Sequence, residues 1–323
     1  MKAVLCKTFG PPESLVIEEL PDPVPGEGEV VVKVTAVGLN FFDNLIIKNM
    51  YQVKPPMPFS PGSEFAGTID TVGPGVTMKP GTRVAGFLPY GAARTHILAK
   101  VRDVAPIPPG ITDAQAAGLV VTYGTTLHAL KQRADLKPGE TLAVLGAAGG
   151  VGLAAVELGK AMGATVIACA SSADKLAFCK AHGADEGIDY ATEDLKERLR
   201  AVTGGKGPDV IYDPVGDKYA EPALRAINWM GRYLVIGFAG GEIPKLPLNL
   251  TLLKSCDVRG VFWGEWARRN PQENAANLMQ IAKWAGEKKL SLHVHATYPL
   301  ERIAEALGEI ATRKAKGKVV LTP

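Results

Sequence analysis

Apolar residues change their spacing twice along this chain of 323 residues. Up to about residue 120 they come in short runs broken by Pro and Gly, and several runs alternate apolar with polar as half-buried strands do. Residues 29–37, 68–72 and 83–87 read as strands, and Pro80-Gly81 marks one of the turns between them. From Gly124 to Trp263 continuous apolar runs take turns with helix-spaced ones. Strands are expected at 141–145, 165–170, 209–212 and 233–236, with helices following Gly150 and Ala173 and one at 220–228. This alternation predicts an α/β fold with a doubly wound parallel sheet, attached to a β-rich domain of partly barrel-like character. Two amphipathic segments, 272–286 and 300–311, precede a last strand at 318–321 that is expected to rejoin the first domain. The expected division is therefore 1–123, 124–264, and a segment 265–323 that returns to the first domain.

The sharpest local signal lies at residues 141–163, where a strand runs into Gly146-Ala147-Ala148-Gly149-Gly150-Val151-Gly152 and a helix begins. Glycine lets the chain turn tightly and brings backbone N–H groups against a pyrophosphate, whose charge the helix N-terminus favours. Ala147 stands at the first glycine of the usual G-x-G-x-x-G, with Gly146 just before it, while Gly149 and Gly152 keep the other two places. At the end of the next strand, where an acidic residue would hold an adenosine 2′-hydroxyl, the chain reads Ala170-Ser171-Ser172. With no carboxylate there, and with Ser172, Lys175 and Tyr190 able to donate hydrogen bonds or charge, the expected cofactor is NADP(H). Ser171 is also placed to cap the helix from Ala173, with Asp174 three residues on.

Charge and cysteine usage narrow the class further. Lys plus Arg number 36 against 33 Asp plus Glu, a net charge of +3 without a basic block, so nucleic-acid binding has no support. No apolar run approaches the roughly 20 residues of a spanning helix. The first residues lead into strand-like sequence instead of a signal peptide, so a cytoplasmic enzyme without membrane association is expected. Cys6, Cys169, Cys179 and Cys256 form no C-x-x-C and read as reduced, buried thiols. His293 and His295 would share one strand face but lack a nearby third ligand, so no metal site is expected.

Several segments together carry a family resemblance: Gly-Leu-Asn-Phe-Phe-Asp at 38–43, Pro-Gly-Ser-Glu-Phe-Ala-Gly at 61–67, Val-Ala-Gly at 84–86, the glycine turn, Gly-Gly-Lys-Gly-Pro-Asp-Val at 204–210 and Gly-Lys-Val-Val-Leu at 317–321. Over essentially the whole chain the sequence resembles the zinc-free, zeta-crystallin-like NADPH:quinone oxidoreductases of the medium-chain dehydrogenase/reductase superfamily. The resemblance implies a GroES-like first domain, a Rossmann second domain, and a homodimer joined through the edge strand at 257–261. Asn40 and Ser63 stand where zinc-dependent relatives carry Cys and His, and the four-cysteine lobe of structural zinc is missing, so chemistry without zinc is implied. The expected activity is hydride or electron transfer from NADPH to a quinone in a cleft between the domains. The alternative is reduction of an activated C=C bond in an enone, enal or enoyl thioester, and a third reading is a non-catalytic NADPH-binding protein.

The same resemblance supplies the site residues. Tyr51 and Asn40 are expected to donate to a developing phenolate or enolate, while Asp43 orients their loop. Tyr51 reads alternatively as a partly buried aromatic, and Asn40 as a turn residue whose side chain satisfies backbone. The cofactor contacts implied are Phe41, His128, Ala148, Gly149, Gly150, Val151, Gly152, Ser171, Ser172, Lys175, Tyr190, Gly237, Phe238, Val261, Phe262, Trp263, Arg313 and Lys318. Gly237 and Phe238 would lie near the nicotinamide ribose, and Val261, Phe262 and Trp263 would offer backbone groups to the carboxamide, or the two aromatics would simply pack. Arg313 and Lys318 fall near the family's C-terminal phosphate or ribose contacts, each reading otherwise as a solvated cation. His128 faces the cofactor or is a satisfied structural histidine.

Overall fold

The computed structural model describes residues 1–323, which divide into two compact units: Met1–Val121 with Leu292–Pro323, and Thr122–Ser291. In the first unit, β1 (Lys2–Leu5) and β2 (Val16–Glu19) form an antiparallel hairpin. The spine is β3 (Glu29–Leu39), whose middle, Val32 to Thr35, alternates buried and exposed residues and whose end, Ala36 to Leu39, is buried on both faces. A short helix, α1 (Phe41–Ile46), follows it directly. Next come β4 (Glu64–Val72), β5 (Arg83–Phe87), β6 (His96–Lys100), β7 (Val104–Pro106) and α2 (Asp113–Ala116). β4 starts four residues before the expected position. Glu64, Phe65, Ala66 and Gly67 are all buried, so this stretch lacks the alternation by which a half-exposed strand is recognised.

The second unit follows α3 (Val120–His128) and contains β8 (Thr141–Leu145), α4 (Gly150–Ala161), β9 (Thr165–Ala170), α5 (Ala173–Ala181), β10 (Glu186–Asp189), α6 (Leu195–Val202), β11 (Val210–Asp213), α7 (Ala220–Ala226), β12 (Arg232–Val235), α8 (Asn249–Lys254), β13 (Asp257–Gly260), α9 (Trp263–Arg269) and α10 (Pro271–Gly286). Its six strands are parallel in the order β10-β9-β8-β11-β12-β13. Leu142 to Leu145 have no exposed surface, as expected of a strand covered on both faces. The order grows one way from β8 to β10 and the other way from β11 to β13, which makes the carboxyl ends of β8 and β11 the switch point where such sheets take ligands.

The C-terminal boundary differs from the expected one. Residues 265–291 belong to the second unit, because α10 buries Ile281 and Asn277, and Asn277 exchanges amide hydrogen bonds with Gln132 at 3.1 and 3.2 Å. The chain rejoins the first unit only at Leu292, through β14 (Val294–Pro299), α11 (Ile303–Ala311) and β15 (Lys318–Thr322). β15 pairs antiparallel with β3 and parallel with β14, completing a seven-stranded sheet. Val319 and Leu321 thereby join Val37, Leu39 and Phe65 in one core, together with Ile303 and Leu307 of α11. No helix is long and apolar enough to cross a membrane.

Candidate active site

In the first unit the end of β3, the start of β4, the N-terminus of α1 and the start of β15 converge on a buried polar cluster. Glu64, fully buried, pairs with the ammonium of Lys318, itself 6% exposed. Lys318 Nζ also donates to Asn40 Oδ1 at 2.8 Å, and Asn40 Nδ2 donates to Glu64 Oε1 at 2.9 Å. The other oxygen of Glu64 accepts the Val121 backbone N–H at 2.9 Å. Two glycines make room for the lysine stem. A Cβ on Gly38 would fall 2.8 Å from Lys318 Cε and 1.9 Å from the Ala117 carbonyl oxygen, and one on Gly118 would fall 2.8 Å from Lys318 Cγ. The partners also fix the Asn40 amide, since turning it over would set NH₂ against an ammonium and oxygen against a carboxylate.

Asn40 occupies the N-cap position of α1, and its side chain hydrogen-bonds to Glu64 and Lys318. Asp43 does the backbone work. Its carboxylate accepts the Asn40 N–H at 2.7 Å and the Gly62 N–H at 3.1 Å, tying α1 to the turn before β4. Burial pushes the Asp43 carboxyl up to about 7, against the pull of those two N–H groups and of Lys318. Tyr51 is half-buried and stacks on Phe42 with ring centroids 5.1 Å apart. Burial, and then the charge of Asp43, raises its phenol above the usual range, so it is protonated at neutral pH. Phe41 opens α1 and is half-buried.

In the second unit the turn after β8 puts Gly146 in the left-handed region at φ 58°, which accounts for alanine at the next position. Ala147 is fully buried and donates its N–H to Cys169 O at 3.1 Å. Ala148 is buried, Gly149 is the N-cap of α4, and Gly150, Val151 and Gly152 form its first turn, whose N–H groups have no partner within a helix. At the end of β9 it is Ser172, not Ser171, that caps α5, accepting the Lys175 N–H at 3.4 Å. The phi and psi of Ser172 are extended, as a cap requires, and this leaves Ser171 one residue too early. Ser171 Oγ instead accepts from Lys175 Nζ at 3.2 Å. Tyr190 lies beside them, with its N–H on Ala170 O at 3.1 Å and its ring 4.3 Å from that of Tyr219.

Other expected contacts divide differently. Lys318 is neither a solvated cation nor an exposed phosphate ligand: it is enclosed and paired with Glu64 and Asn40. Trp263 is a packing residue, 5% exposed against Gly124, with its indole N–H on Asn274 Oδ1 at 3.0 Å, whereas Phe262 is 55% exposed. The Val261 N–H is taken by Val235 O at 3.0 Å, so this residue prolongs the sheet. Gly237 and Phe238 follow β12, beyond the carboxyl end of the strand. His128 is buried at the end of α3 and stacks on Trp266 at 4.0 Å; burial takes its pKa down to about 4 and leaves it neutral. Arg313 is exposed at the C-terminal end of α11, in the left-handed region at φ 57°. All four cysteines are free and buried, and no group of three or more His, Cys, Asp or Glu side chains is placed to hold a metal.

Glu64 escaped the sequence reading, and so did the pairing of Lys318. The signal was present: each is a charge placed at the head of a short apolar stretch, in Ser-Glu-Phe-Ala-Gly and Gly-Lys-Val-Val-Leu. Two opposite charges on buried strands of one sheet are expected to meet, because neither is stable alone in such surroundings.

Comparison with known proteins agrees with this architecture. Residues 26–109 match the alcohol dehydrogenase GroES-like domain and residues 150–284 the zinc-binding dehydrogenase family. The chain is 35% identical over 324 residues to quinone oxidoreductase-like protein 2 of Rattus norvegicus, covering 99% of this chain and 92% of the relative. It is 34% identical to a quinone oxidoreductase of Pseudomonas aeruginosa, covering 100% and 99%. The Escherichia coli quinone oxidoreductase solved in complex with NADPH superposes with a TM-score of 0.93 at 29% identity, over the full length of both chains. The chain belongs to the medium-chain dehydrogenase/reductase superfamily of oxidoreductases, with quinone oxidoreductases among its full-length relatives.

Proposed function

We propose that the protein is an NADPH-dependent reductase that passes hydride to quinones without a zinc ion. The strongest support is the cluster in the first unit. The positions where zinc-dependent relatives resemble one another in carrying Cys and His hold Asn40 and Ser63, and the space beside them is filled by the Lys318–Glu64 ion pair. An amide, a hydroxyl and an internal ammonium make a poor donor set for a divalent metal. A substrate that delocalises incoming charge onto a remote oxygen suits such a site, and quinones do so.

The second unit fits NADP(H). Gly149 leaves its Cβ side open except for Gly146 O at 3.4 Å, and the first turn of α4 presents backbone N–H groups and the positive end of the helix dipole to a pyrophosphate. Ser171, Ser172, Lys175 and Tyr190 would hold a 2′-phosphate at the end of β9. When bound, NADPH supplies a hydride from its nicotinamide. With the hydride accepted at one quinone oxygen, Asn40 and Tyr51 would donate hydrogen bonds to the other, where the charge develops, and that oxygen would take a proton from water to give the quinol. Asp43 holds Asn40 in place through backbone.

A second reading is reduction of activated C=C bonds. It is favoured by Tyr51, whose half-buried hydroxyl stays protonated and so carries a proton that could be delivered to carbon. The test is NADPH oxidation with benzoquinone, phenanthrenequinone and an α,β-unsaturated aldehyde in parallel, with NADH as control. Quinone turnover favouring NADPH is expected; turnover of the enal alone would move the protein to the second reading.

We also propose a homodimer. β13 is an outer strand of the six-stranded sheet, Val258 on it is 41% exposed, and Met230, Leu252 and Leu253 close by are 66%, 77% and 65% exposed. An edge with that much apolar surface is suited to pairing with the same edge of a second copy.

A further inference from the structure

The Asn40 amide has two N–H groups. One donates to Glu64 at 2.9 Å, while the other reaches Ser63 Oγ only at 3.5 Å, the outer limit of a hydrogen bond. Asn40 is half-buried, unlike fully buried Glu64 and Ser63. One donor of the cluster is therefore free to serve a ligand oxygen. On the far side of the same amide, Oδ1 accepts from the ammonium of Lys318 at 2.8 Å. We infer that Lys318 is a positioning residue of the reductase reaction: its ammonium locks the Asn40 amide with that N–H outward and strengthens it as a donor to the substrate oxyanion.

Three physical arguments carry the assignment. A buried ion pair gives little net stability over apolar side chains of the same volume, so the Lys318–Glu64 pair at the start of two apolar strands is poorly explained by stability alone. The fold also clears a path for it, at Gly38 and Gly118, where any Cβ would collide with the lysine stem. Finally, hydrogen bonds in a chain polarise one another, so an amide whose oxygen accepts from an ammonium is a better donor at its nitrogen. Lys318 thus acts on the site through Asn40, by holding its amide in one orientation, without touching the substrate. This rests on the proposal that Asn40 faces the developing oxyanion.

The test is a double-mutant cycle between Asn40 and the ion pair, using Asn40→Ala, Lys318→Met combined with Glu64→Gln, and all three together. The paired substitution avoids leaving Glu64 as an uncompensated buried charge. Three readouts are taken on each protein: kcat for benzoquinone, the dissociation constant of NADPH by fluorescence, and the affinity for p-nitrophenolate in the presence of NADP⁺, followed at the phenolate absorption band. Asn40→Ala is expected to lower kcat by about a hundredfold, the scale of one oxyanion donor. The Lys318→Met/Glu64→Gln protein should lose about tenfold in kcat and in phenolate affinity, with NADPH binding unchanged, and should add no further loss when Asn40 is already alanine. Equal losses in both backgrounds, no loss at all, or a matching loss of NADPH affinity would overturn the inference. If the wild-type protein binds p-nitrophenolate no better than Asn40→Ala does, it falls as well. Failure of the wild type to reduce benzoquinone would instead remove the quinone reading, and the phenolate cycle would still decide the role of Lys318.

Discussion

A Cβ on Gly152 would lie 2.2 Å from the carbonyl oxygen of Gly146 and 2.9 Å from Ala147 Cα. Both contacts are with backbone, so neither can yield by rotating a side chain. Gly152→Ala should push α4 away from the end of β8, at a cost of about 3 kcal/mol or more. Gly149→Ala is the control, because its Cβ meets only Gly146 O at 3.4 Å and its φ of −76° suits any residue. It should keep the thermal midpoint nearly unchanged while weakening NADPH binding about tenfold or more, since the methyl stands where backbone would approach the pyrophosphate. Calorimetry and NADPH fluorescence separate the two outcomes.

Ser172 permits a clean exchange of cofactor preference. It caps α5 through Lys175 N at 3.4 Å, and aspartate caps a helix as well as serine does. Ser172→Asp should therefore fold normally while setting a carboxylate against the 2′-phosphate. The ratio of kcat/KM for NADPH over NADH is expected to fall by about 10- to 100-fold, the scale of losing a charge-assisted contact and gaining a repulsive one. An unchanged ratio would place the phosphate elsewhere.

Tyr51→Phe separates the two proposed reactions. The ring contact with Phe42 at 5.1 Å survives the substitution, so packing is kept and only the hydroxyl is lost. Reduction of a C=C bond needs a proton delivered to carbon, and should drop by about 10²-fold or more. Quinone reduction ends on oxygen, which water can protonate, and should drop only a few-fold. Equal loss in both assays would show that Tyr51 orients substrate instead of supplying a proton.

How far the chain disclosed this depends on the kind of signal. The strand, glycine turn and helix at 141–161 were legible because each step has a local cause: buried β-branched and aliphatic residues, glycine where the turn is tight, and helical spacing afterwards. Gly146 even explains the departure at Ala147, by carrying the positive φ itself. The Lys318–Glu64–Asn40 cluster was not legible as a unit, since its members are up to 278 residues apart and meet only through sheet pairing of β15 with β3 and of β3 with β4. A lysine taken alone reads as solvated, and only its placement on a covered strand shows otherwise. The boundary at Leu292 was missed for a related reason. Amphipathic spacing in 272–286 shows that α10 has a buried face without showing which core receives it.

Two buried groups should give the folded protein opposing pH dependences. Asp43, raised to about 7, holds a proton in the folded state that the unfolded chain releases near its ordinary value of 3.8, so its contribution to stability is present at low pH and is lost as pH rises through about 7. His128, lowered to about 4 from 6.5, works the other way: the unfolded chain takes up a proton that the folded one refuses, so stability falls as pH drops through that interval. Each slope has a ceiling of about 1.4 kcal/mol per pH unit, and between about 4 and 6.5 they oppose each other. Urea unfolding of the wild type should therefore vary little across this acidic range. Asp43→Asn removes one slope and should expose the other, its midpoint rising from about pH 5 to about pH 6.5. A flat profile in Asp43→Asn would show that burial does not hold His128 neutral in the folded protein.

The exposed edge of β13 yields the last expectation. Val258 is 41% exposed on a strand that has β12 as its only neighbour, so its free side presents backbone N–H and C=O groups beside apolar side chains. Val258→Lys adds a charge that tolerates water but opposes close pairing of two such edges, the means by which natural sheets keep edges apart. Sedimentation should show the wild type as a dimer and Val258→Lys shifted to monomer, with NADPH affinity unaltered because the glycine turn lies across the sheet after β8, with β11 and β12 between. A second, more severe change, Leu252→Glu with Val258→Lys, guards against a dimer held mainly by α8, where Leu252 and Leu253 stand 77% and 65% exposed. If even this protein sediments as the wild type does, the apolar surface around β13 is not where two copies meet.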